Sequence, residues 1–190
     1  MIINIEEDPR HAGQITRYHT WPVHRVQSVG EHTWQIQRIM LTIWPDCPRH
    51  LLVHCTVHDV GEMAGDLPWP AKRNDPVLKE RMTLTELRVH RTMTARWGLP
   101  APVKLSEMEQ DFFKMCEYIE MWEFGLMEQN MGNKYGNVVA TRMMLAAATL
   151  IGKMPHEIQT MARLYCDIRE EQESETERTP TLDRAAGEKA

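Results

Sequence analysis

A chain of 190 residues is long enough for one sizeable core, and 42% hydrophobic with 26% charged residues is the balance of a globular protein handled by water. A formal net charge of -5 argues against a nucleic-acid-binding surface, whose footprint is clustered Lys and Arg, yet leaves room for one small anion held by local cations. No apolar run could span a bilayer and the first residues lack the pattern of a signal peptide, so a cytoplasmic location with no membrane partner is expected.

The segment 10–27 gathers Arg17, Tyr18, His19, Trp21, His24 and Arg25 ahead of the first long periodic stretch. It reads either as an arm docked on the domain or as a substrate loop, since Arg suits phosphate oxygens and an aromatic ring suits the face of a base. Ser28 followed three residues later by Glu31 is a capping box, opening a helix over 30–44 with His32 in its first turns. Trp34, Ile36, Ile39, Met40 and Ile43 are its apolar positions, and Pro45 and Pro48 end it.

A second helix carries the run from His54 to Glu62. Leu51, Leu52, Cys55 and Val57 supply an inward face, so His58 and Asp59 should be partly buried, and buried polar groups need partners. A divalent metal would satisfy an imidazole and a carboxylate together. On a continuous helix Glu62 falls four residues past His58 and three past Asp59, which places an acid/base over two ligands, with His32 as the candidate second histidine. His50, His54 and His58 also fall at four-residue steps. His54 with His58 has the spacing of a two-histidine site, but a hydrogen-bonded surface stripe accounts for His50 and His54 without a metal.

Pro68, Pro70 and Pro76 keep 66–75 out of any helix, leaving Lys72 and Arg73 as phosphate contacts or ordinary surface cations. Asp75-Pro76 is an N-cap with Pro at the first helical position; the helix it opens carries Met82, Leu84, Leu87, Val89, Met93 and Trp97 and stops at Gly98-Leu99-Pro100. Ser106 and Glu109 form a second capping box, before Phe112, Phe113, Met115, Tyr118, Ile119 and Trp122. Glu120 and Glu123 lie on an acidic stripe that reads equally well as solvated surface. After a break at 130–133, helices over 138–151 and 155–168 look like core packing. The four cysteines form no C-x-x-C pair, and no repeat or strand pattern stands out. The expected organisation is one all-α domain over 1–169, then a disordered acidic tail over 170–190.

Taken together, Glu31-His32-Thr33, His58-Asp59-Val60-Gly61-Glu62 and Gly65-Asp66-Leu67-Pro68 resemble the HD-domain metal-dependent phosphohydrolases over about 17–144. Within that superfamily the likeness is greatest to the small 5'-deoxynucleotidase branch, which includes bacteriophage dATP triphosphohydrolases. The resemblance implies a helical bundle with a buried Co2+, Zn2+ or Mn2+ ion held by His32, His58, Asp59 and a last carboxylate. The family places that carboxylate as Asp in a Lys-x-x-Asp setting, and this chain reads Lys114-Met115-Cys116-Glu117, so Glu117 stands in its place. Asp111, six residues earlier, is the alternative of the usual type.

By the same resemblance Glu62 handles protons, and Arg17 with Lys72 steadies phosphates. Tyr18 stands where Trp is common, with Trp21 close by as the other ring for the base. Asp66 would read the sugar hydroxyls, although one residue fewer separates it from Glu62 than in the nucleotidases. The implied reaction is hydrolysis of a 2'-deoxynucleoside 5'-phosphate, dATP to deoxyadenosine first, by a homo-oligomer (dimer or hexamer). A general deoxynucleoside monophosphatase is the near alternative. A helical scaffold that has lost catalysis is the distant one, and Glu117 in place of Asp is the feature that feeds it.

Overall fold

Capping chemistry sets most of the element boundaries in this all-α chain. The computed structural model describes residues 8–18, 22–64, 74–101 and 103–178; Trp21, Asp66, Lys72 and the rest of 65–73 lie outside them, as does 179–190. The short helix α1 (Pro9–Ala12) starts where the Asp8 carboxylate accepts from the Arg10 N–H at 3.0 Å. It leads into an antiparallel pair, β1 (Thr16–Arg17) and β2 (Gln27–Ser28), with Thr16 opposite Ser28 and Arg17 opposite Gln27. No strand was expected here, and two-residue strands carry no period from which to read one.

Helix α2 (Val29–Ile43) is capped by Ser28, whose Oγ accepts from the Glu31 N–H at 3.1 Å, while the Glu31 carboxylate pairs with Arg25. Helix α3 (Arg49–Val57) is shorter than expected. The chain turns through His58 and Asp59 and resumes as a 3-10 helix (Val60–Ala64), so Glu62 does not continue the helix of His58. The cause is local: His58 Nδ1 lies 2.6 Å from the Cys55 carbonyl and caps the helix end, and the Glu62 N–H reaches only as far back as the Asp59 carbonyl.

Helix α4 (Pro76–Trp97) begins with the Asp75 side chain accepting from the Leu78 N–H at 2.9 Å and ends at Gly98, whose φ of 67° is the left-handed conformation that glycine adopts without strain. Of its expected stripe, Met93 is buried, but Leu84 is 60% and Trp97 44% exposed. The bulk of the bundle lies elsewhere, and α4 meets it through the 3-10 helix and a small cluster of Ala12, Val57, Val60 and Met93. Gly61 permits that contact, because a Cβ there would lie 2.6 Å from the Glu86 Cβ.

Helix α5 (Glu107–Asn130) has both halves of its capping box, Ser106 with Glu109. Helix α6 (Lys134–Ile151) starts a turn earlier than expected, since Asn133 accepts from the Tyr135 N–H at 3.0 Å. Helix α7 (His156–Arg178) runs on past Glu170, where the tail was expected to begin. The continuation is rich in Glu and Gln, which lose little freedom in a helix, and Arg169 donates to Gln172 one turn on.

Helix α5 is the spine of the bundle. It lies along α6 and crosses α2, and a Cβ added to Gly136 would come within 2.6 Å of the Gly125 carbonyl oxygen, so the α5 and α6 backbones nearly touch. Ile36, Ile39 and Met40 from α2, Leu51 from α3 and Phe112, Met115 and Ile119 from α5 are all fully buried in one core. Burial of each such side chain contributes about 1.5–3 kcal/mol. No helix among the described residues is long and apolar enough to cross a membrane.

Candidate metal centre

Two histidines from different elements point the same nitrogen at one carboxylate. His32, on the first turn of α2, is fully buried, and its Nδ1 lies 2.6 Å from Glu120 Oε2. His58, at the end of α3, has its Nδ1 on the Cys55 carbonyl. Because carboxylate and carbonyl oxygens only accept, Nδ1 carries the proton of each neutral ring, and Nε2 is the nitrogen whose lone pair is free when the ring is neutral. Both Nε2 atoms are buried without a hydrogen-bond partner. They lie 3.7 Å (His32) and 3.1 Å (His58) from Asp59 Oδ2, and all three ligand atoms fall within 4.8 Å of one another.

Buried imidazole nitrogens without partners are costly unless something accepts their lone pairs. A cation does so. Outer partners that fix the Nδ1–H tautomer are the usual companions of metal-binding histidines, so the residues present fit a divalent transition metal. Among the described residues, His32, His58 and Asp59 are the group of this kind.

At the trio the neighbouring charges overcome the effect of burial. Burial alone would raise the Asp59 carboxyl, but His58, Arg17 and His32 outweigh it and hold it below the usual carboxylate range. Burial likewise works against a charge on His58, and Asp59 reverses the effect, so its pKa sits above that of an ordinary histidine. Arg17 Nη1 donates to Asp59 Oδ2 at 2.8 Å, with both side chains mostly buried. This brings a cation beside the centre, where an anionic substrate would need one.

The remaining sequence-derived candidates divide. Tyr18 stacks on Phe124, with ring centroids 4.4 Å apart and planes 11° from parallel, and has the left-handed φ of 57° that a non-glycine residue adopts at a cost of about 1–2 kcal/mol. Glu62 is half-buried in the 3-10 helix, near enough for its charge to act on Arg17. Glu117 lies outside the trio. It pairs with Lys114 at 2.8 Å, and its charge acts on His58. Asp111 pairs with Lys153 at 3.1 Å. His50 sits on Glu109 at 2.6 Å, and the His54 ring packs edge-on against Phe113, so neither joins the group. Trp21, Asp66 and Lys72 fall outside the described residues.

One face of α5 organises the whole centre, and most of it escaped the sequence reading. Phe113 packs against His58, Glu120 holds His32, and Phe124 carries Tyr18, at spacings of seven and four that keep them on one side of a helix. Glu120 and Glu123, which the sequence left open between an acidic site stripe and solvated surface, are 2% and 7% exposed. Glu120 also accepts from Gln27 Nε2 at 2.5 Å, and Glu123 is held by Arg38, Tyr165 and Arg169. The available signal was their position among the apolar residues Ile119, Trp122 and Phe124: an acid on an inward face needs a partner, and His32 needs an acceptor.

Behind Glu120 lies a cavity of about 250 Å3. The guanidinium groups that line it are each paired with a carboxylate, Arg25 with Glu31 and both Arg38 and Arg169 with Glu123, so it offers no free cation to a ligand.

The outer role of Glu120 is testable. Glu120→Gln preserves the shape but weakens the acceptor for His32, and metal affinity is expected to fall about 10–100-fold. Competition against a chromophoric chelator measures it. Unchanged affinity would detach Glu120 from the centre.

No protein-family description and no curated protein sequence matches the chain. A solved structure does: the cyanophage S-2L HD phosphohydrolase (DatZ), bound to dA and one catalytic Zn2+ ion, at 18% sequence identity over 92% of this chain and 99% of that one, with a TM-score of 0.64. The chain therefore has the all-α fold of an HD phosphohydrolase.

Proposed function

We propose that this protein is a metal-dependent phosphohydrolase acting on 2'-deoxynucleoside 5'-phosphates, with dATP converted to deoxyadenosine as the leading reaction. The observation that carries the proposal is the pair of buried, unpartnered Nε2 atoms converging on Asp59. The likeness to a phosphohydrolase that binds dA and zinc gives it direction. His32, His58 and Asp59 would hold the ion, with Glu117 on the facing stripe of α5 as the candidate fourth ligand. A divalent ion in such a site activates water and neutralises charge on the phosphoryl group.

The protein's own groups account for the remaining work. Arg17 holds phosphate oxygens beside the centre, with Lys72 as a second cation for them. Tyr18 or Trp21 faces the base, and Asp66 reads the sugar. Glu62 takes the proton of the attacking water and returns one to the leaving 5'-oxygen. One water is consumed for each bond broken between the α-phosphorus and O5'.

The test uses the metal-stripped full chain with dATP, dAMP, the other deoxynucleotides and ATP, with and without Zn2+, Co2+ or Mn2+. Deoxyadenosine should appear from dATP only when metal is added. Turnover of monophosphates alone would select the general deoxynucleotidase instead. Failure to retain metal together with no turnover would leave a non-catalytic helical scaffold.

A further inference from the structure

We propose that Glu128 is a positioning residue for the substrate arm: it latches the chain over 22–25 onto α5 so that Arg17 and Tyr18 are presented to the metal centre. The proposal rests on the functional reading above for the meaning of the arm, and on independent geometry for the latch.

Glu128 is 2% exposed, and its carboxylate accepts three hydrogen bonds, none of them from a cation. Oε2 takes the His24 N–H at 2.7 Å, and Oε1 takes the Arg25 N–H at 2.8 Å. Asn133 Nδ2 donates both to Oε2 and to the Pro22 carbonyl, each at 2.6 Å. The three bonds to Pro22, His24 and Arg25 join positions more than 100 residues apart in sequence. A buried carboxylate is a costly way to hold a loop, and charge-assisted bonds to backbone N–H groups are the kind that fix backbone position.

The placement of the latch indicates its purpose. Phe124, which carries the Tyr18 ring, lies four residues before Glu128, on the same face of α5 as Glu120 and Phe113. The chain at Tyr18 and the chain over 22–25 are thus tied to successive turns of the helix that also holds His32. Pairing of Arg17 with Gln27 across the β1–β2 ladder closes the arm at its base. Tyr18 stays in its left-handed conformation only while its surroundings over-determine it, and the latch is one of those restraints.

Glu128→Gln is nearly isosteric and sets an amide N–H2 against donors that a carboxylate had satisfied. KM for the deoxynucleotide should rise about tenfold or more, with kcat within about twofold and metal affinity unchanged, because arm placement governs binding whereas the ion is held elsewhere. Backbone amides of His24 and Arg25 should exchange hydrogen faster than in the unaltered protein. An unchanged KM, or a parallel loss of kcat, metal affinity and thermal stability, overturns the assignment. Should Glu128→Gln not fold, Asn133→Ser is read in the same way, since serine can still cap α6 but cannot reach both Pro22 and Glu128. If the unaltered protein hydrolyses no deoxynucleotide, the functional reading fails by itself; the latch is then judged by exchange, and unprotected His24 and Arg25 amides in the unaltered protein overturn it.

Discussion

Asp59→Asn should yield a protein that retains no stoichiometric metal and has lost at least about 10^3-fold in kcat/KM. A metal in such a site supplies several kcal/mol of charge stabilisation, and each 1.36 kcal/mol is a factor of ten in rate. Asp59 is the one carboxylate of the trio, and its Oδ2 is the atom to which both Nε2 atoms and Arg17 Nη1 are directed. Asparagine keeps the volume but removes the charge. The same change should destabilise the metal-free chain, because Arg17, whose side chain is 16% exposed, loses its carboxylate partner. Breaking a buried pair from one side costs about 3–5 kcal/mol. At this size a cost near about 3 kcal/mol lowers Tm by roughly 6–12 °C. Arg17→Met combined with Asp59→Asn should recover part of that loss without recovering metal. Elemental analysis after stripping and reloading, with a thermal melt of each variant, reads both effects. An Asp59→Asn protein that still carries one metal per chain would remove this carboxylate from the centre and leave the histidine pair unexplained.

The same atoms mark what the sequence could and could not disclose. Helix starts at Ser28, Asp75-Pro76 and Ser106, and stops near Gly98 and Gly132, were legible because each rests on a short-range interaction written in consecutive residues. His58 and Asp59 were legible as polar residues among apolar neighbours and His32 as the second histidine that such a pair calls for, and the three do lie together. The turn at His58 was not, because it depends on which way an imidazole nitrogen points, and helical spacing through Glu62 gave no sign of it. Glu120 was missed for a related reason. Its identity as an inward residue follows from how α5 crosses α2, a tertiary fact, and a glutamate between two aromatic turns looks the same in sequence whether it faces water or a histidine. The β1–β2 pair and the Glu128 latch are contacts between distant segments with no local pattern at all.

Glu62→Gln should separate chemistry from metal binding. Glu62 is not in the group formed by His32, His58 and Asp59, so the variant is expected to hold metal as the parent does. Its kcat should nonetheless fall about 10^2–10^4-fold, the range that a positioned general acid or base contributes. The placement of Glu62 favours this split. The chain leaves His58 and Asp59 through a tight turn closed by the Glu62 N–H on the Asp59 carbonyl at 2.9 Å, and Gly61 seats the 3-10 helix against Glu86. The glutamate backbone is therefore fixed one turn beyond Asp59, while its charge acts on Arg17 at the edge of the candidate centre. Replacement by Gln keeps a polar side chain of the same length, so a drop in kcat at unchanged metal content isolates proton transfer from packing. Loss of the metal in Glu62→Gln would instead make this residue a ligand, and full turnover with metal retained would remove it from the reaction.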